Sequence, residues 1–140
     1  MHVVNLDEIV DLITARDQRY HRDAYCFVRE ALDHTQQKDV KSRESQVCHV
    51  TGQELLAGIR EFALQEFGPM TLFVLEQWGV KRCEDFGEIV FNMVESSLLA
   101  KTEKDSRNDF RDGYSFEEAF RRPFLPAAGK VPPAPETKPA

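Results

Sequence analysis

Hydrophobic residues recur at steps of three and four along most of the first hundred positions, a pattern that predicts a series of amphipathic helices. The predicted helices cover residues 5–15, 22–36, 51–67, 70–78 and 84–98. Between the second and third, residues 37–46 are polar and without periodicity, which predicts a loop. The side chains expected to face the common core of the last three helices are Ile59, Phe62, Leu72, Leu75, Ile89, Val90 and Val94.

The ends of the third predicted helix have clear local signals. Thr51 and Glu54 have the capping-box spacing, in which each side chain accepts a hydrogen bond from the other residue's backbone N–H. Such a cap is worth about 1 kcal/mol. Gly68 predicts a left-handed residue at the end of the helix, and Pro69 suits the first turn of the next one.

A β-hairpin is predicted after the last helix, with strands near Leu99–Glu103 and Tyr114–Glu117 joined by a polar loop. Val47–Val50 could add a short strand. Three helices followed by a hairpin is the order of a winged-helix domain. The predicted fold class is therefore mainly α with a small β-hairpin: a winged-helix-like three-helix core preceded by two additional helices. Because Ser115 and Glu118 also have capping-box spacing, a capped helical turn is the alternative to the second strand.

Proline changes the character of the chain after Phe120, where six of the seven prolines lie. Proline at this density forbids regular helix and interrupts sheet pairing. Phe124 and Leu125 are still expected to dock on the body of the protein. The sequence therefore predicts one domain over residues 1–126 and a disordered, proline-rich tail over residues 127–140.

Charge and composition limit the cellular compartments and the classes of partner that the sequence predicts. The net charge is −6, and residues 121–140 contain four basic and one acidic side chain, so the acidic charge is concentrated before Arg121. An acidic body repels nucleic acid and anionic membranes. No apolar run approaches the roughly 18 residues of a membrane span. Three scattered cysteines and no secretory signal pattern predict a cytoplasmic protein.

Several runs of residues resemble one known family. The runs are RYHRDAYCFV (19–28), TGQELLAGIR (51–60), FGPM (67–70), EDFGEIVFNMV (84–94), KTEKDSRNDF (101–110) and FEEAFRRPFLP (116–126). Together they resemble an uncharacterised bacterial protein family restricted to Verrucomicrobia and Planctomycetes, over residues 6–126. The resemblance implies a bacterial cytosolic protein, and it implies no activity, cofactor or binding residue.

The outward positions of the last predicted helix are acidic or neutral, which defines a candidate partner-binding face: Glu84, Asp85, Glu88, Asn92 and Glu95. This acidic helix face indicates either an ordinary solvated surface or a docking surface for a basic protein partner. Complementary charge would mainly raise the rate of association. The leading functional hypothesis is therefore a non-catalytic protein–protein interaction module.

The alternative hypothesis is a DNA-associated transcriptional regulator of winged-helix type that touches nucleic acid through its turn and hairpin. The basic residues available for this are Lys81, Arg82, Lys101, Lys104, Arg107 and Arg111. Phosphate contacts normally come from lysine and arginine. Acidic residues interleave with these basic ones, and the third helix of the trio offers none, so nucleic acid is the less favoured partner.

Catalysis and metal binding have little support in the sequence. The four histidines are dispersed, and the acidic segment before Gly113 fails the EF-hand spacing, so neither a metal nor another cofactor is predicted. No nucleophile-elbow, phosphate-loop or zinc-protease motif occurs, and no catalytic residue is assigned. Cys48 with a histidine such as His49 leaves a small enzyme of unknown reaction as a further alternative.

Overall fold

The computed structural model describes residues 6–43, 50–99, 105–111 and 113–125 of the chain. Five α-helices account for most of these residues: α1 (Leu6–Arg16), α2 (Arg22–Arg43), α3 (Gly52–Phe67), α4 (Thr71–Gln77) and α5 (Cys83–Glu95). Short helical turns follow at Gly68–Met70, at Arg107–Phe110 (the Arg107 turn), and at Glu117–Arg121 and Arg122–Phe124 (the C-terminal turns). The five helices predicted from hydrophobic periodicity are confirmed, but the fifth ends at Glu95 and not at the predicted residue 98.

The second helix is longer than predicted. It continues to Arg43, so the predicted loop is wrong over residues 37–43. This stretch contains no glycine or proline, and its glutamine, lysine and arginine residues have high helix propensity. The helix therefore continues without an apolar stripe to mark it. The rest of the predicted loop, residues 44–46, lies outside the described residues.

The predicted β-hairpin is wrong, and with it the winged-helix-like fold. The described residues contain no strand. Tyr114 and Ser115 precede the π-helical turn Glu117–Arg121, and the Glu118 N–H lies 3.5 Å from Ser115 Oγ. The helical alternative therefore describes this stretch. Most of the first predicted strand, and residues 47–49 of the additional one, lie outside the described residues.

The residues on either side of Gly113 form helical turns instead of the predicted hairpin. The polar run before Gly113 predicts a loop, whereas Ser106 and Asp109 form a capping box that begins the Arg107 turn. Phe116 and Phe120 are four residues apart and both buried, which is a helical spacing and not that of the predicted strand. Their rings pack at 5.1 Å between centroids.

The core lies where α2 packs against α3 and where α5 crosses α2. Tyr25, Phe86, Ile59, Leu75 and Ile89 are among its largest fully buried side chains. An aromatic cluster covers one edge of this core, with the Phe27 ring 5.4 to 5.6 Å from the rings of Phe62, Phe67 and Trp78. Of the seven predicted core residues, three are fully buried and the other four are partly buried: Phe62, Leu72, Val90 and Val94.

The local signal at the start of α3 acts as predicted, whereas Gly68 after α3 has a positive φ of 52° with ψ −130°, outside the predicted left-handed helical region. The Glu54 N–H donates to Thr51 Oγ1 at 3.1 Å, and the Thr51 N–H donates to Glu54 Oε1 at 3.0 Å, which confirms the capping box at the start of α3. Gly79 ends the turn after α4 with φ 86°, and a Cβ there would overlap the carbonyl oxygen of Arg19. This close approach brings the α1–α2 connection against α4, where the His21 N–H donates to the Trp78 carbonyl at 3.0 Å.

Replacing Ile59 with alanine should lower the free energy of unfolding by about 2–5 kcal/mol, because Ile59 is fully buried and the cavity can close only in part. Urea denaturation measures this change. Leu12 is the matched control: it is 70% exposed, so Leu12→Ala should change the free energy of unfolding by no more than about 0.5 kcal/mol. A loss below about 1 kcal/mol for Ile59→Ala would show that the core is misplaced.

Candidate functional site

Asp85 of the predicted acidic face fixes the start of α5. Its Oδ2 accepts the backbone N–H groups of Lys81 at 2.8 Å and Arg82 at 3.2 Å. Its Oδ1 accepts the Tyr20 hydroxyl at 2.7 Å. Burial and this hydrogen bond raise the pKa of Tyr20 above its ordinary value. The carboxylate therefore caps α5 and attaches that end of the helix to the α1–α2 connection.

Glu88, one turn further along α5, lies between two arginines. Arg19 Nη2 donates to Glu88 Oε1 at 3.2 Å, and Arg107 Nε lies 3.3 Å from Glu88 Oε2. The Arg107 guanidinium also approaches Glu95 Oε2 at 3.6 Å and lies 4.9 Å from the centroid of the Phe91 ring. Arg107 is thus held by two carboxylates of α5 and by the aromatic ring between them.

Asn92 is buried rather than exposed. Its Nδ2 donates to Asp17 Oδ2 and to Tyr25 Oη, each at 3.0 Å. Asp17 Oδ2 also accepts Arg19 Nη2 at 2.6 Å. The Arg19 hydrogen bonds hold the pKa of the Asp17 carboxyl well below its ordinary value, despite the opposing effect of burial.

These contacts join into one set of polar residues, which we call the α5 network: Asp17, Arg19, Tyr20, Tyr25, Asp85, Glu88, Asn92, Glu95 and Arg107. It connects α5 to the α1–α2 connection, to α2 and to the Arg107 turn. Four of the five predicted partner-binding residues belong to it, and the fifth, Glu84, is half-buried. Two of its carboxylates, Glu88 and Glu95, are thus paired with arginines of the protein itself, and Asp85 caps the helix. The role of this face in partner binding stays a prediction.

The basic residues of the nucleic-acid alternative do not share one platform in the described part of the chain. Lys81, Arg82 and Arg111 are exposed, while Arg107 is paired with α5. Lys101 and Lys104 lie outside the described residues. Because the predicted hairpin is absent from the described residues, the arrangement expected to present these groups to a duplex is absent there as well.

The described thiols are poorly suited to nucleophilic chemistry. Burial raises the pKa of Cys83 to about 11, and it also raises the pKa of Cys26. A thiol is nucleophilic only as the thiolate. Within the described ranges, no group of three or more side chains is placed to hold a metal ion, and no helix is long and apolar enough to cross a membrane. Cys48 and His49 lie outside those ranges.

A surface groove between α4 and the C-terminal turns is the feature that sequence analysis missed. Four of its residues come from the region of α4: Pro69, Leu72, Phe73 and Glu76. The other four come from the C-terminal turns: Phe120, Arg121, Phe124 and Leu125. We call this feature the α4 groove. Its side chains follow helical spacing on both walls, so two adjacent helical faces form it.

The α4 groove has apolar walls that face solvent. Phe73 is 54% exposed, Phe124 44% and Leu125 52%. The floor includes Phe120, which is buried and packs edge-on against Tyr114 at 5.7 Å. At the rim, Glu76 is exposed, and Arg121 Nε lies 3.4 Å from Glu117 Oε1 on its own turn.

The sequence contained a partial signal for this groove. Helix α4 is apolar nearly all round, which predicts burial on most of its sides. In the structure Thr71 and Leu75 occupy its fully buried positions, and Phe73 is left facing solvent. Hydrophobic periodicity could not predict the exposure of Phe73, because it does not show how many other elements pack against a short helix. Phe124 and Leu125 reach the body as expected, yet both stay about half exposed.

Comparison with protein-family models, with curated proteins and with solved structures finds no match to this chain. The resemblance to the bacterial family therefore stays a prediction.

Replacing Asp17 with asparagine should destabilise the protein at pH 7 and should matter less in acid. A carboxyl whose folded-state pKa is lowered stabilises the fold fully above its unfolded pKa of about 3.9. That stabilisation is lost as the pH falls below this value towards the folded-state pKa. The difference in free energy of unfolding between wild type and Asp17→Asn should therefore shrink between about pH 5 and pH 2, as followed by urea denaturation.

Asp33→Asn is the control, because Asp33 is an exposed carboxylate paired with Arg29 at 3.8 Å along α2. It should change stability little at any pH. A stability gap for Asp17→Asn that stays constant from pH 7 to pH 2 would contradict the assigned hydrogen bonding of Asp17.

Proposed function

We propose that the protein is a non-catalytic protein-interaction module that binds an apolar segment of a partner in the α4 groove. One observation supports this most directly. Of the five large apolar side chains that the described residues leave exposed, three line this single groove: Phe73, Phe124 and Leu125. A fourth, Met70, follows the groove residue Pro69 directly in the chain.

Clustering is what distinguishes these side chains from ordinary surface residues. Isolated exposed apolar side chains are normal, whereas a contiguous apolar patch typically marks an interaction site. Each Å² of apolar surface removed from water contributes about 25 cal/mol. Covering two phenylalanines and a leucine together would therefore supply much of the energy of a moderate complex.

The groove also has a rigid frame, which lowers the cost of binding. Phe120 on its floor is held by the rings of Phe116 and Tyr114. The Tyr114 hydroxyl donates to the Leu56 carbonyl of α3 at 2.8 Å. A preformed site loses little conformational entropy when a ligand enters. Aromatic residues at such a site are the usual anchors of binding energy.

A protein-interaction module is also the function that the sequence predicts, but we propose the α4 groove as its binding surface in place of the acidic face of α5. Binding a partner through Glu88 or Asn92 would require breaking contacts within the α5 network, whereas binding in the α4 groove breaks none of them. A basic group of the partner remains part of the proposal, because the exposed Glu76 carboxylate lies at the rim. We also propose a cytoplasmic location, which the free thiols of Cys26 and Cys83 support.

Selection of random twelve-residue peptides on phage against the full-length protein tests this function. The enriched peptides should contain apolar residues, and their affinity, measured by calorimetry, should fall at least tenfold for Phe73→Asp. An anchor removed from the centre of an interface typically has an effect of this size or larger. Leu12→Asp is the matched control, because Leu12 is exposed on α1, outside the residues that line the groove.

Two results would contradict the proposal. The first is enriched peptides that bind wild type and Phe73→Asp equally well. The second is peptides whose affinity instead falls with Glu84→Lys, a variant on the predicted acidic face outside the α5 network. That result would return the interaction to the acidic helix face.

A further inference from the structure

We infer that the proline-rich end of this same chain binds in the α4 groove, so that the module contains its own competitor. The occupant is the sequence KVPPAP at residues 130–135, which we call the KVPPAP segment. This inference rests on the proposed function of the groove. It adds a named ligand and a means of regulation.

The point at which the chain leaves the described structure supports this. Leu125, the last described residue, is itself part of the groove. Its backbone is extended, with φ −100° and ψ 153°. Pro126 follows, and a proline holds the residue before it in extended conformations. The proline-rich residues therefore follow directly from a residue that lines the α4 groove.

The residues between Leu125 and the KVPPAP segment are long enough to let that segment fold back onto the α4 groove. Four residues, 126–129, separate Leu125 from the KVPPAP segment, and they span about 12 Å when extended at about 3.1 Å per residue. Helix α4 has seven residues and is about 10 Å long. Ala127, Ala128 and Gly129 are small, and glycine permits the backbone to reverse direction.

The chemistry of the segment matches the groove. Pro132, Pro133 and Pro135 favour an extended left-handed helix with fixed φ angles, so little conformational entropy is lost on binding. Grooves lined by aromatic side chains are the usual receptors for such segments. Phe73 and Phe124 supply aromatic walls, and the Glu76 carboxylate at the rim is complementary to Lys130.

Binding within one chain is favoured over binding to a second copy. A short connection gives the segment an effective concentration of about 1 mM at the groove, whereas separate chains meet at their much lower solution concentration. With an intrinsic Kd of about 0.1 mM the groove would be about nine-tenths occupied. A partner segment would then bind about tenfold more weakly than to an open groove.

The full-length protein and a variant with both Pro132→Ser and Pro133→Ser provide the test. Amide chemical shifts in ¹⁵N-labelled protein should differ between the two proteins at α4 and at residues 120–125, and not in α1. Pro139→Ser is the matched control, because it removes a proline from the same region outside the KVPPAP segment. It should leave the shifts of α4 unchanged.

A synthetic peptide of residues 129–136 then serves as a probe in trans. It should bind the double variant about tenfold more tightly than wild type, and adding Phe73→Asp to the double variant should abolish that binding. Equal affinity for wild type and double variant, or unchanged shifts in α4, would overturn the inference. Shift differences that appear only at high protein concentration would overturn it too, in favour of binding between copies.

This outcome is separable from the proposed function. If phage-selected peptides still bind through Phe73 while the double variant behaves as wild type, the groove is a binding site and the KVPPAP segment is not its occupant. If neither class of peptide binds through Phe73, both proposals are wrong.

Discussion

A hydrogen-bonded carboxylate, Asp17, is the constraint on which the arrangement of the helices depends. It accepts hydrogen bonds from Arg19 beside it and from Asn92 on α5, 75 residues away along the chain. A partly buried charge is tolerated only when it is paired and hydrogen-bonded. The position of α5 relative to the α1–α2 connection is therefore specified by polar contacts as well as by the apolar core beneath them.

The same contacts change the meaning of the acidic residues on α5. A carboxylate that neutralises an arginine of another element contributes to the fold, and it is less available to a partner. Glu88 illustrates this, because it pairs with Arg19, which precedes it by 69 residues, and with Arg107, which follows it in the chain. The α4 groove, which we propose as the partner-binding surface, instead exposes the apolar side chains of Phe73 and Phe124.

Local patterns predicted the helices and the Thr51 cap because both depend on residues within a few positions of one another. They failed at the Arg107 turn, where Ser106 and Asp109 begin a helical turn in a run that composition assigned to a loop. They also failed at the candidate site. Periodicity places Glu88 and Asn92 on one face of a helix, and it cannot show that Arg107 and Asp17 fold against that face. The exposure of Phe73 depends likewise on which neighbours α4 receives.

A double-mutant cycle on Asp17 and Asn92 tests most directly whether the polar face of α5 is bonded within the protein. Asp17→Ala, Asn92→Ala and the double variant would be compared with wild type by urea denaturation at pH 7. Residues in one hydrogen-bond network should be coupled, so the two effects should depart from additivity by at least about 0.5 kcal/mol. Additive effects would contradict this coupling, and would mean that the contact between Asp17 and Asn92 does not help to hold α5 in place.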